Sequence, residues 1–204
     1  MFETAQDNPT RRRVLWLAVP AIGGLGTLWW RRNIAAPEPV KQSISSDEVS
    51  IAEFSDAGEN LGIEQLRKIV RTDADWWGRL TPQQYYVTRK HSTDNPFTGT
   101  YYKIHESGLF RCICCETALF SSESKYDSGS GWPSFWEPIA KGNVQEVEMP
   151  GVSRRDALYK GIEVLCKRCD AHLGHIFDDG PPPTNLRYCI NESALRFLPR
   201  AAKS

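Results

Sequence analysis

The sequence has no surplus of charge: 25 basic residues balance 25 acidic ones. That balance removes the broad attraction on which binders of nucleic acid or anionic surfaces depend, so no nucleic-acid partner is expected. No residue-level repeat divides the chain. Six cysteines in 204 residues are too few for a disulfide scaffold. They are not scattered either, since four fall in two matched pairs, a distribution that favours a metal site. Methionine is scarce, with 2 residues against 7 tryptophans, which by itself decides nothing. Beyond residue 97 helical periodicity is missing, which excludes a helical architecture there. What remains, 40% apolar and 11% aromatic residues, suffices for one packed domain and a tail.

The tail comes first. Thr10-Arg11-Arg12-Arg13-Val14-Leu15 leads into residues 14–30, an uncharged apolar run closed by Arg31 and Arg32. A twin arginine before such a run resembles a bacterial twin-arginine signal. The run is at the short edge of the roughly 17–25 residues that span a bilayer. Trp29 and Trp30 suit the headgroup level. Residues 1–34 are therefore expected to be an export signal or a membrane anchor, placing the protein outside the cytoplasm of a bacterium. Residues 35–79 read as a linker and an unassigned extension, although Val49, Ile51 and Phe54 before Ser55-Asp56-Ala57-Gly58 suggest a strand entering a turn.

Thr81-Pro82-Gln83-Gln84 carries a helix start: Thr81 as cap, Pro82 at the first position and Gln84 closing a capping box. This predicts a short helix over 82–91. Short runs rich in aromatic and β-branched residues follow at 108–112, 117–120, 144–149, 161–165, 172–177, 186–190 and 194–198. Gly, Pro, Asp and Asn punctuate them, as expected for strands. The fold class is thus mainly β and mostly antiparallel, with the helix packed outside.

Cys112-Ile113-Cys114-Cys115 and Cys166-Lys167-Arg168-Cys169 are two Cys-x-x-Cys knuckles. Each can turn two sulfurs towards one ion, and two knuckles complete the tetrahedral set that structural zinc takes. The ligands are Cys112, Cys115, Cys166 and Cys169, while Cys114 is left out because 112 with 115 matches the partner spacing. Two local disulfides or a redox motif are the other readings. Four thiolates leave no open position, so the single zinc is structural. The wide interval between knuckles means that the ion staples two separate β hairpins. Thiolates fit poorly with an oxidising compartment, a conflict that export in the folded, metal-loaded state would remove.

Cys189, in Leu186-Arg187-Tyr188-Cys189-Ile190-Asn191, is the cysteine outside both knuckles. It is either an inert buried strand residue or a nucleophile whose thiolate is favoured by neighbours such as Arg187, His172 and His175. Spacing alone does not separate the two. Paired histidines are equally open, to core positions or a second metal site.

These motifs occur in order with Leu80-Thr81-Pro82-Gln83-Gln84-Tyr85, Asn95-Pro96-Phe97-Thr98-Gly99, Tyr126-Asp127-Ser128-Gly129-Ser130-Gly131-Trp132-Pro133-Ser134-Phe135 and His172-Leu173-Gly174-His175-Ile176-Phe177-Asp178-Asp179-Gly180. The set resembles the type B peptide methionine (R)-S-oxide reductase family over a catalytic domain at 80–199. The resemblance implies two antiparallel sheets with the reactive cysteine on a strand, and reduction of methionine R-sulfoxide in oxidised proteins by a thiol. It assigns Cys189 as nucleophile, His172 and His175 to activation and protonation of the sulfoxide oxygen, and Trp132 to the substrate methyl group. Arg187 assists the thiolate, and Phe177 and Asn191 line the substrate position.

One departure concerns recycling. Many members carry a resolving cysteine where this chain has Ser130. A serine cannot form that disulfide, so regeneration requires a thioredoxin-like protein or a small thiol. The chain is expected to act as a monomer. Two other classes remain: a zinc-stapled module that binds oxidised methionine without turnover, and a thiol–disulfide oxidoreductase using a Cys-x-x-Cys pair.

Overall fold

The computed structural model describes residues 48–149 and 159–200. The expected signal or anchor at 1–34 and the first part of the linker lie outside these residues. Among the described residues no helix is long and apolar enough to cross a membrane.

Eleven strands and two α-helices follow in order. A hairpin of β1 (Glu48–Phe54) and β2 (Asn60–Arg67) comes first, then α1 (Asp73–Trp77) and α2 (Pro82–Lys90). The strands β3 (Gly108–Cys112), β4 (Ala118–Ser121), β5 (Lys125–Tyr126) and β6 (Ser134–Phe135) follow. Then come β7 (Val144–Glu148), β8 (Tyr159–Cys166), β9 (His172–Phe177), β10 (Arg187–Ile190) and β11 (Leu195–Pro199). A six-stranded sheet has the order β5-β6-β10-β9-β8-β7, and a three-stranded sheet the order β11-β3-β4. All pairings are antiparallel.

Residues 80–199 hold the two antiparallel sheets expected of them, and among the described residues a third sheet, β1–β2, and a second helix, α1, lie before that domain. The stretch read as linker and unassigned extension folds because its chain ends are satisfied locally. Thr72 caps α1 by accepting from Asp75 N at 3.2 Å, and the Asp75 carboxylate answers the Thr72 N–H at 3.3 Å. The hairpin is tied down by Asn143, a buried side chain that hydrogen-bonds both polar backbone groups of Ala52 at 2.8 Å and also Ala118 O at 2.8 Å.

The core lies between the two larger sheets. Phe135 of β6 stacks on Phe120 of β4, with ring centroids 4.4 Å apart, and meets Phe110 of β3 edge-on at 5.0 Å. Tyr188 of β10 and Phe197 of β11 extend the cluster. Offset and edge contacts of this kind add to the area the rings bury. They fix β10, the strand carrying Cys189, against a rigid support.

Candidate active site and metal centre

β10 is one of the two central strands of its sheet, between β6 and β9. Cys189 lies directly opposite Ser134 on one side and His175 on the other. Ser134 in turn faces Tyr126 of β5, and His175 faces Glu163 of β8. Residues directly opposite in adjacent strands share a face. Tyr126, Ser134, Cys189, His175 and Glu163 therefore form one row across five strands. Gly174 permits the row to close up: a Cβ at this position would lie 2.0 Å from Cys189 O.

Arg187, two residues before Cys189, points to the same face. Asp179 accepts from its Nε at 2.7 Å and from its Nη2 at 2.9 Å, a fork that fixes the guanidinium plane. The guanidinium carbon sits 4.1 Å from the centroid of the Phe177 ring. Burial pushes the Cys189 thiol up from its ordinary value, against the Arg187 charge and a hydrogen bond from Ser130. For Arg187 burial acts downward, but Asp179 outweighs it and keeps the group protonated. Asp179 follows β9 and reaches across to β10. Its partner is the arginine.

The Ser130 hydroxyl begins a chain, 2.8 Å from that of Ser128, which is 2.7 Å from that of Ser134. Ser134 donates to Trp132 O at 3.1 Å. Trp132 follows Gly131, whose φ of 87° only glycine adopts without strain. The indole N–H donates to Asp94 O at 3.0 Å, which fixes the ring. Trp132 also lines a cavity of about 380 Å³ with Asn95, Thr98, Pro133 and Ser193. Asn191 is buried. Its amide accepts from Asp94 N at 2.9 Å and donates to Leu173 O at 3.1 Å. It therefore ties the segment after α2, whose Asp94 carbonyl fixes the Trp132 indole, to β9.

His172 and His175 have ring centroids 5.2 Å apart. His172 is buried, and its Nδ1 lies 2.5 Å from Glu163 Oε1. Burial lowers the pKa of His172, with Glu163 opposing. Burial, then the His172 charge, pushes His175 down to about 4. Both rings are neutral at pH 7. Glu163 and its second partner, His91, carried no signal in the sequence, because their contacts join α2, β8 and β9 across long intervals.

The four knuckle cysteines converge. Their sulfurs all lie within 4.8 Å of one another, with Cys112–Cys169 at 3.7 Å and Cys115–Cys166 at 3.5 Å. A tetrahedron with metal–sulfur bonds of about 2.3 Å has edges of about 3.8 Å, so the set fits one ion. The knuckles are backbone copies. Glu116 N donates to Cys112 O and Asp170 N to Cys166 O, both at 2.9 Å. Glu116 and Asp170 have φ values of 66° and 53°. One knuckle closes the β3–β4 turn and the other the β8–β9 turn, so the cluster joins the three-stranded sheet to the six-stranded one. Arg89 of α2 donates to Cys169 O at 2.9 and 3.0 Å. Cys114 packs beside Thr88 and Arg89, whereas the neighbours of Cys189 are Arg187, Ser130 and Asp179.

Fold and site together define a class: a β-sheet protein with one cysteine in a cationic, hydroxyl-lined position and a separate four-cysteine cluster able to hold a metal ion. Residues 80–199 match the SelR domain. A peptide methionine sulfoxide reductase MsrB of Hahella chejuensis is 50% identical over 133 residues, 65% of this chain and 91% of the relative. The protein of that name in Thioalkalivibrio sulfidiphilus is 53% identical over 128 residues, covering 62% and 88%. The mitochondrial methionine-R-sulfoxide reductase B2 of Danio rerio is 49% identical over 139 residues, covering 66% and 77%. The chain belongs to the SelR-domain family of MsrB methionine sulfoxide reductases.

Proposed function

We propose that the protein reduces methionine-R-sulfoxide in oxidised proteins to methionine, with Cys189 as the nucleophile. The observation that carries this is the placement of Cys189 between Arg187 and Ser130, opposite His175 and on a strand backed by the aromatic core. The neutral histidine pair takes up the Cys189 proton, the thiolate attacks the sulfoxide sulfur, and the pair passes that proton to the sulfoxide oxygen. Oxygen passes to the cysteine sulfur, the sulfur–oxygen bond of the substrate breaks, and methionine leaves a sulfenic acid at Cys189. One external thiol then forms a mixed disulfide with release of water, and a second thiol frees Cys189. Ser130 cannot take that first step, and Cys114 is held beside the metal centre, so the reductant is a thioredoxin-like protein or a small thiol.

Trp132 supplies an indole face for the methyl–sulfur group, a contact of about 0.3–1.5 kcal/mol. Phe177 holds Arg187 from beneath, and Asn191 holds Asp94, whose carbonyl accepts from the Trp132 indole. Cys112, Cys115, Cys166 and Cys169 would hold zinc, whose chemistry here is a structural cross-link. Residues 1–34 would carry the folded protein out of the cytoplasm, supported by the arginine-led apolar run.

Separated R and S sulfoxides of a blocked methionine, supplied with dithiothreitol, test the assignment. Turnover of the R epimer alone, lost in Cys189→Ser, is expected. Failure of the folded, metal-loaded protein to reduce either epimer would leave it a binding module.

A further inference from the structure

Outside the cysteine cluster, His91, Glu163 and His172 form a second set of ligating atoms. The three residues come from separate, independently fixed elements. His91 ends α2 in the left-handed region at φ 55°, Glu163 lies within β8, and His172 opens β9. Both imidazole Nδ1 atoms lie 2.5 Å from the same oxygen, Glu163 Oε1. Two ring nitrogens converge on one point from opposite elements.

We propose that this trio is a reversible site for a divalent transition metal of the zinc type, and that its occupation inhibits the reductase. The ligand set, two imidazoles and a carboxylate, is one that zinc, nickel and cobalt accept. Zinc takes histidine nitrogens at about 2.0–2.1 Å. Both Nδ1 atoms stand 2.5 Å from Oε1, so an ion taking that position needs each ring to close in by about 0.4–0.5 Å, while the carboxylate draws back to become the third ligand. The His91 side chain is 58% exposed, against 13% for Glu163 and 1% for His172, so ions enter from the His91 side and a water completes the fourth position.

The proton balance is favourable. Nδ1 protons now shared with the carboxylate give way to the ion, and each neutral ring carries its proton on Nε2. For His172 that atom is buried without a partner, so no hydrogen bond breaks when the proton moves there.

Inhibition rests on the reductase reading. It follows from geometry: Glu163 faces His175, and His175 faces Cys189. A bound ion engages His172, one half of the histidine pair that moves the proton, with its ring 5.2 Å from that of His175.

The test uses the full chain with its cysteine cluster already metal-loaded. In the Cys189→Ser background, where the thiol cannot contribute, Zn²⁺ binding is read by competition with a chromogenic chelator. One additional ion is expected, and His91→Gly should weaken it at least about tenfold. Glycine suits the left-handed backbone at 91, so the variant removes a ligand without straining the helix end. In the active enzyme, His91→Gly should require at least about tenfold more Zn²⁺ for half-inhibition, each protein being compared with its own zinc-free rate. Absence of the additional ion, or its undiminished binding in His91→Gly, overturns the site. Binding without inhibition overturns the regulatory role. Absence of turnover before zinc is added refutes the reductase reading and leaves the binding result standing.

Discussion

At the scale of single residues, the thiol proposed as nucleophile is set by opposed influences. Burial raises the Cys189 thiol, while Arg187 and Ser130 favour its charged form. A raised thiol leaves little thiolate at neutral pH, so alkylation of Cys189 by iodoacetamide should climb steadily from pH 7 to 9. Arg187→Met keeps the hydrophobic stem over Phe177 and removes the charge. The thiol should then rise further, and the alkylation rate at pH 7 should fall about tenfold for each unit of that rise. kcat/KM should fall with it. Arg187→Lys should rescue in part, since it restores charge but cannot reproduce the fork to Asp179. An alkylation profile unmoved by Arg187→Met would assign the arginine to packing alone. Cys189, Arg187, Trp132 and the histidine pair were legible because their motifs are local in sequence. Asp179 was visible as a turn residue, but its bond to Arg187 was not. Glu163 stood in a strand pattern where an exposed charge is the ordinary expectation, and only the folded sheet shows it beneath two imidazoles.

At the scale of elements, the strands of the two larger sheets that carry apolar alternation were legible, as was α2 with its capping box. β2 was not. Leu61 and Ile63 are exposed along with their neighbours, so the strand has no buried face to give a period of two. α1 is five residues long, too short for helical periodicity, although Thr72 and Asp75 hold a capping signal. β5 and β6 are two residues each and are fixed by pairing alone. The hairpin β1–β2 is attached through the Asn143 amide, a hydrogen bond from Arg111 to Phe54 O and the buried Ile51. Asn143→Ala would orphan the Ala52 N–H and the carbonyls of Ala52 and Ala118, each buried group costing about 1–3 kcal/mol. We expect a loss of at least about 2 kcal/mol by urea denaturation, with the knuckles intact and activity retained at low temperature. Gly174→Ala belongs to the opposite case. Its Cβ meets the backbone of the strand that bears the nucleophile, so activity and thermal stability should fall together.

At the scale of the whole molecule, two features set the conditions under which the fold survives. The cysteine cluster is the cross-link between the two larger sheets. The binding free energy of an ion held there would be folding free energy, and its withdrawal would leave four thiols packed against one another. Cys112→Ser, or prolonged chelation, should lower Tm by more than about 10 °C, whereas Cys114→Ser should leave it nearly unchanged. The second feature is the buried histidine–carboxylate group. His175 titrates at 6.5 when unperturbed and at about 4 in the fold, and His172 is lowered as well. On acidification the unfolded chain takes up these protons first, so stability falls as pH drops from 6.5 towards 4. Glu163 acts in the same direction. Burial raises its carboxyl, but the hydrogen bonds from His91 and His172 outweigh burial and hold it below its ordinary value of 4.5. Its contribution is present above that value and is lost as pH falls through the folded one. Thermal melts between pH 8 and 4 should therefore be level above about 7 and decline below 6.5. His175→Asn, which keeps a polar side chain in the row and removes the titrating ring, should flatten the upper part of that decline. An equal slope in this variant would place the acid sensitivity in the metal cluster, whose thiolates also compete with protons, and raising zinc in the buffer would then shift the curve.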